Sequence, residues 1–78
     1  MAIRSAPRKQ LVLNQKYGSV RDYVLARIDA GERTKSLLNE LNDALVAAGE
    51  EPTSEDSLYV WIRRWRAEAA TERQELAS

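Results

Sequence analysis

The chain has 78 residues, a formal net charge of zero, no cysteine and no histidine. That length suits one domain with a marginal core, since a chain of this size buries only about 60–65% of its unfolded surface. The missing residue types exclude disulfides, thiolate zinc sites and the commonest general base; no apolar run is long enough to span a bilayer, and Met1–Lys9 lacks the apolar core of a signal peptide, so a cytoplasmic protein is expected.

An alphabet rich in Ala, Leu, Glu and Arg, without phenylalanine, predicts an all-α fold. Residues 1–18 contain Pro7 and Gly18 and show no helical period, which predicts an extended, basic N-terminal arm. Within it, Lys9–Asn14 reads as a short strand or an extended segment. Ser19, with Asp22 three residues on, has a capping-box arrangement for a first helix. Its apolar stripe is Val20, Tyr23, Val24 and Ile28, and Gly31 ends it. Thr34 is the expected cap of a second helix with the stripe Leu37, Leu38, Leu41, Ala44, Leu45 and Ala48, stopped by Gly49. Glu50-Glu51-Pro52-Thr53 is a turn, and Thr53 or Ser54 caps the third helix. That helix runs to about Arg73, and residues 74–78 are expected to fray. The organisation is thus an arm (1–18), a three-helix domain (19–73) and a loose end (74–78). The expected core is Val24, Ile28, Leu38, Leu41, Leu45, Leu58, Trp61, Ile62 and Trp65.

The third helix carries the chemistry. Leu58–Arg66 holds both tryptophans and three arginines in nine residues. Leu58, Trp61, Ile62 and Trp65 make one apolar face, while Tyr59, Arg63 and Arg66 lie along another, flanked by Val60 and Arg64. Such a helix is anchored by one side and offers donors to phosphates and base edges from the other. Charge is segregated along the chain as well. Residues 1–37 carry eight basic and three acidic groups, residues 38–57 six acidic and no basic ones, and residues 58–78 four basic and three acidic. A fold can turn the acidic segment away from a polyanion, and the local field then matters more than the total.

Three short helices with glycine-marked turns, the last basic and aromatic, form a helix-turn-helix plan. In that plan Ser57, Tyr59, Val60, Arg63 and Arg64 lie at or near bases, and Arg66 meets a phosphate. Glu55 and Asp56 either cap the helix or accept from a cytosine amine. Arg4, Arg8 and Lys9 could follow a minor groove; an unstructured terminus is as good a reading. Arg33 and Lys35 flank a helix start whose free N–H groups suit a phosphate, or they belong to a solvated turn. Two half-sites restore specificity to so small a module, so the expected partners are double-stranded DNA and a second copy of the chain. Nothing calls for a cofactor, a metal ion, a small-molecule ligand, a membrane or catalysis.

Ser57-Leu58-Tyr59-Val60-Trp61-Ile62-Arg63-Arg64-Trp65-Arg66 resembles the recognition-helix pattern of transposase-type helix-turn-helix domains. Together with Arg21-x-x-Val24-x-x-Arg27-Ile28-x-x-Gly31 and Leu37-Leu38-x-x-Leu41, it makes residues 20–66 resemble small plasmid-encoded helix-turn-helix repressors of the ArdK/StbA kind. The resemblance implies DNA binding at repeated promoter sites and repression of plasmid or mobile-element genes.

Two other architectures compete. Lys9–Asn14 as a strand before two helices spells a ribbon-helix-helix order. Alternatively, the chain is a helical protein-interaction module of the antitoxin or inhibitor type. Placement discriminates: Arg63, Arg64 and Arg66 sharing a face with Arg21 or Arg27 favours DNA, whereas pairing with Glu68 and Glu72 favours the interaction module.

Overall fold

The structure, a computed structural model, describes residues 7–77. These form four helices and no strand: α1 (Arg8–Tyr17), α2 (Val20–Asp29), α3 (Thr34–Ala47) and α4 (Glu55–Ala77). Helix α1 packs on α2 and α3, and α4 packs on the same two helices.

The all-α expectation holds, but the extended arm does not: from Arg8 onward it is helical. The alternation of Leu11 and Leu13 imitates a strand, yet Leu13 and Tyr17 also share one helical face. Leu13 is fully buried, and Val12 and Tyr17 pack against the core beside it. Burial of that face decides the matter, as it does for most short helices. The ribbon order fails with the arm, because the residues it needs as a strand are in α1.

Helix α2 begins where its cap signal lies. The Ser19 hydroxyl accepts the Asp22 N–H at 3.3 Å, and Asn14 Oδ1, from the last turn of α1, accepts the Val20 N–H at 2.8 Å. Helices α2 and α3 end in the same way. Glu32 N–H reaches the Arg27 carbonyl (3.0 Å), Gly31 N–H the Ile28 carbonyl (2.9 Å), Glu50 N–H the Leu45 carbonyl (2.8 Å) and Gly49 N–H the Val46 carbonyl (3.0 Å). Both are Schellman closures, which require a positive φ at the penultimate donor; Gly31 has 94° and Gly49 81°.

The turn from α3 to α4 is fastened by Asn42. Its Oδ1 accepts the Thr53 N–H at 2.8 Å and its amide donates to the Thr53 carbonyl at 3.1 Å, which satisfies both backbone groups of a buried residue. Ser54, not Thr53, caps α4: its hydroxyl accepts the Ser57 N–H at 3.1 Å. Helix α4 then continues for 23 residues, past the end expected near Arg73. Residues 67–77 are dominated by Ala, Glu, Arg, Gln and Leu, strong helix formers that need little packing to stay helical.

The core consists of Leu13, Val20, Val24, Leu37, Leu41, Ala44, Leu45, Leu58, Ile62 and Trp65. Ile28, Leu38 and Trp61, which the periodicity places in it, line its edge. Trp65 is 4% exposed whereas Trp61 is only half-buried, so their truncations should differ. Trp65→Ala is predicted to cost about 3–5 kcal/mol and Trp61→Ala clearly less, read from urea midpoints; equal losses would contradict this packing. Asn42→Ala is predicted to cost about 1–3 kcal/mol by stranding the Thr53 N–H and C=O, and a wild-type midpoint would dismiss that tie.

Candidate nucleic-acid interface

Helix α4 is held by Leu58, Ile62 and Trp65, all buried, so the helical period turns Tyr59, Val60, Arg63, Arg64 and Arg66 outward. All five are exposed, including two large apolar groups, Tyr59 at 48% and Val60 at 47%. None of the three arginines makes a hydrogen bond or an ion pair with a described residue. They have not folded onto Glu68 or Glu72, although Glu68 lies four residues after Arg64. Ser57 is less available than the sequence implies. It is partly buried, its N–H is committed to the Ser54 hydroxyl, and its own hydroxyl accepts from Ser54 at 3.0 Å.

Neither Arg21 nor Arg27 adds a free cation to that face. Arg21 donates to Glu72 at 2.6 Å and to Asp22 at 3.2 Å; Arg27 pairs with Glu32 and lies 5.6 Å over the Tyr23 ring. The Arg27 guanidinium beside it holds the Glu32 carboxyl below its ordinary range. The Arg21–Glu72 contact joins the first turn of α2 to the last third of α4.

Arg8 and Lys9 are not on a loose arm. Arg8 pairs with Glu50, and Lys9 donates to the Pro52 carbonyl at 3.2 Å. The start of α1 is thereby braced against the turn that leads into α4, and the Arg8 side chain remains 83% exposed. Arg4 lies outside the described residues. Arg33, not Thr34, stands at the N-cap of α3, with no side-chain cap hydrogen bond, and Lys35 lies one residue into its first turn; Arg33 and Lys35 are exposed, and neither is paired with a described residue. The first turn of α4 is acidic, with Glu55 and Asp56 exposed and Glu51 exposed in the preceding turn. The exposed cations of α4 therefore begin at its middle turns, at Arg63.

Sequence reasoning stops the basic row at Arg66, but α4 carries it on to Arg73, seven residues later and exposed. The signal is the spacing Tyr59, Arg63, Arg66, Ala70, Arg73, which alternates four and three. A second feature without a sequence signal lies where α1, α2 and α3 meet. Tyr17 and Tyr23 stack at 4.3 Å between centroids, and both hydroxyls donate to one oxygen of Glu40. Burial, and then the Glu40 charge, push the Tyr17 hydroxyl up to about 12; the hydrogen bond to Glu40 raises Tyr23.

No protein-family model matches the chain, and no curated protein or solved structure matches it.

The Tyr17 shift has a consequence for stability. Its folded value lies above the ordinary tyrosine value of about 10. The stabilisation from the neutral phenol is therefore complete below about pH 10 and is lost as pH rises toward about 12. The melting temperature should fall across that window, and Tyr17→Phe should flatten the fall. An equally steep alkaline decline in the variant would show that the stacked pair is not its origin.

Proposed function

We propose that the protein binds double-stranded DNA sequence-specifically, with α4 laid in the major groove as the reading helix. The observation that carries this reading is the group of three exposed, unpaired arginines on a helix whose opposite face is buried to Trp65. Surface arginines on a helix lose little by pairing with a nearby carboxylate, and here they remain unpaired with Glu68 four residues from Arg64. Arg63 and Arg64 project from the outer surface, where a guanidinium can reach guanine O6 and N7 together. Tyr59 and Val60, one turn earlier, suit a thymine methyl or a sugar.

The acidic first turn defines how such a helix could dock. Glu51, Glu55 and Asp56 repel phosphates, so α4 approaches through its middle turns and its N-terminus stays clear of the backbone. Ser57, tied into the cap, is a minor contributor in this arrangement. Arg8 and Lys9, braced beside the same end, offset the acidic turn and add affinity without selectivity. Arg33 and Lys35 are further phosphate ligands at the start of α3.

One module of this size touches few base pairs, so the DNA-bound form is proposed to be a homodimer on two half-sites about 10–10.5 bp apart or a multiple of that spacing. The proposed biological role is repression at repeated promoter sites in plasmid or mobile-element genes; its support is the likeness of residues 20–66 to that kind of repressor.

Selection of bound duplexes from a random pool, followed by mobility shift, tests the reading. Arg63→Ala is predicted to relax preference at one base position by about 1–3 kcal/mol while the remaining positions keep their order. A variant that retains the wild-type sequence preference would remove Arg63 from the reading surface. A wild type that enriches no sequence, but captures a protein partner through the same arginines, would favour the interaction-module alternative.

A further inference from the structure

Arg64 apart, which stands on the acidic side four residues before Glu68, the charges of α4 are sorted to opposite flanks. Beyond its first turn, Arg63, Arg66 and Arg73 lie with Tyr59 and Ala70 along one flank, whereas Glu68, Glu72 and Glu75 lie along the other at spacings of four and three. The sorting opposes helix stability. Glu68–Glu72, Glu72–Glu75 and Arg63–Arg66 set like charges three or four residues apart, each pair unfavourable by a few tenths of a kcal/mol. A solvated face would interleave the signs and gain those tenths. Arg66 instead has Ile62, Arg63, Ala69 and Ala70 at its three- and four-residue neighbours, and Arg73 has Ala69, Ala70, Leu76 and Ala77. No acid stands within reach of either guanidinium along the helix, and neither pairs with any other described residue. The acidic flank, in contrast, has a counterpart in the fold: Arg21 of α2 is bonded to Glu72 through both oxygens, at 2.6 and 3.4 Å.

We infer that the flank carrying Arg66 and Arg73 is a phosphodiester-tracking surface that extends the contact about two helical turns past the base-reading residues. The inference rests on the DNA-binding reading and assigns Arg73 as a phosphate ligand. Seven residues separate the two arginines, about 10 Å along the helix axis, so the two side chains can reach separate phosphates of one strand. The ligand chemistry is that of a polyanionic backbone: two cations spaced along a rod, with only alanines between them on that flank to sterically limit its approach. The Arg21–Glu72 bond holds the acidic flank on the α2 side of the helix, away from that strand.

The test uses the full chain and a short duplex of its selected sequence, with a mixed-sequence duplex beside it. Affinity is measured over a series of salt concentrations for the wild type, Arg66→Gln, Arg73→Gln, and Glu68→Gln on the opposite flank, with circular dichroism confirming that each exposed-site variant keeps its helix content. The expected result is a plot of log affinity against log salt that flattens by about 0.9 for each lost arginine, on both duplexes alike, with base preference unchanged. Glu68→Gln should leave the slope at its wild-type value. If the wild type binds DNA and Arg66→Gln and Arg73→Gln keep its slope, the tracking surface is overturned while the reading helix stands. If Arg73→Gln instead alters which sequence is preferred, Arg73 reads a base and the assignment is equally overturned. A wild type that binds neither duplex overturns the DNA-binding reading and this inference with it.

Discussion

The pairing of Asn42 with both backbone groups of Thr53 is the constraint on which the candidate surface depends. Helix α4 leaves the bundle immediately after that residue, so the direction of its first turn is set by a side chain in the middle of α3. Ser54 then closes the cap, and Leu58 follows four residues later into the core. Once Leu58 is seated, the period of the helix commits Tyr59, Arg63 and Arg66 to the outside. A rotation of α4 by one residue would move Arg63 toward the core, where an unpaired guanidinium costs several kcal/mol. The Arg8–Glu50 pair and the Lys9 hydrogen bond to Pro52 hold the same turn from the α1 side. An exposed ion pair contributes little energy, but here it adds to a geometry that Asn42 already specifies.

The stability of so small a domain constrains how much its surface can deviate from the most stabilising arrangement. Among the described residues ten buried apolar ones form the core, and Trp65 supplies its largest side chain. Against that, α4 keeps like charges adjacent on both flanks and leaves Tyr59 and Val60 about half exposed. Each like-charge pair costs tenths of a kcal/mol, while capping recovers amounts of similar size or larger at Ser19, at Ser54 and at the two Schellman closures. The helix ends therefore offset the cost of the charge arrangement on α4.

Much of this was legible in the amino-acid sequence, for identifiable reasons. Helices α2 and α3 announce themselves because period and terminal glycine agree at Gly31 and Gly49, and α2 has its cap at Ser19 as well, whereas α3 starts without a side-chain cap. The face of α4 is legible because two tryptophans, a leucine and an isoleucine leave no other phase. Helix α1 is not, since Leu11 and Leu13 satisfy a strand period while Leu13 and Tyr17 satisfy a helical one, and only burial of Leu13 by elements far along the chain decides between them. The Asn42–Thr53 tie joins residues 11 apart across a turn, and Arg21–Glu72 joins residues 51 apart. No local pattern encodes either. Arg73 is hidden for a different reason: it stands seven residues beyond the dense Arg63–Arg66 row, where the sequence predicts the end of the helix.

The zero net charge of the chain hides an uneven distribution of its charges. The acids of residues 38–57 do not form one face. Glu40 is turned to the two phenols, Glu50 is occupied by Arg8, and Glu55 and Asp56 stand at the positive end of α4, where they stabilise the helix itself. Glu72, on the far flank of α4, is bonded to Arg21. Several of the acids are thus engaged within the fold, whereas Arg63, Arg64, Arg66 and Arg73 have no partner among the described residues. Paired charges largely cancel beyond a Debye length of about 8–10 Å, and unpaired ones do not. The middle turns of α4 therefore present exposed cations with no partner among the described residues although the sum is zero.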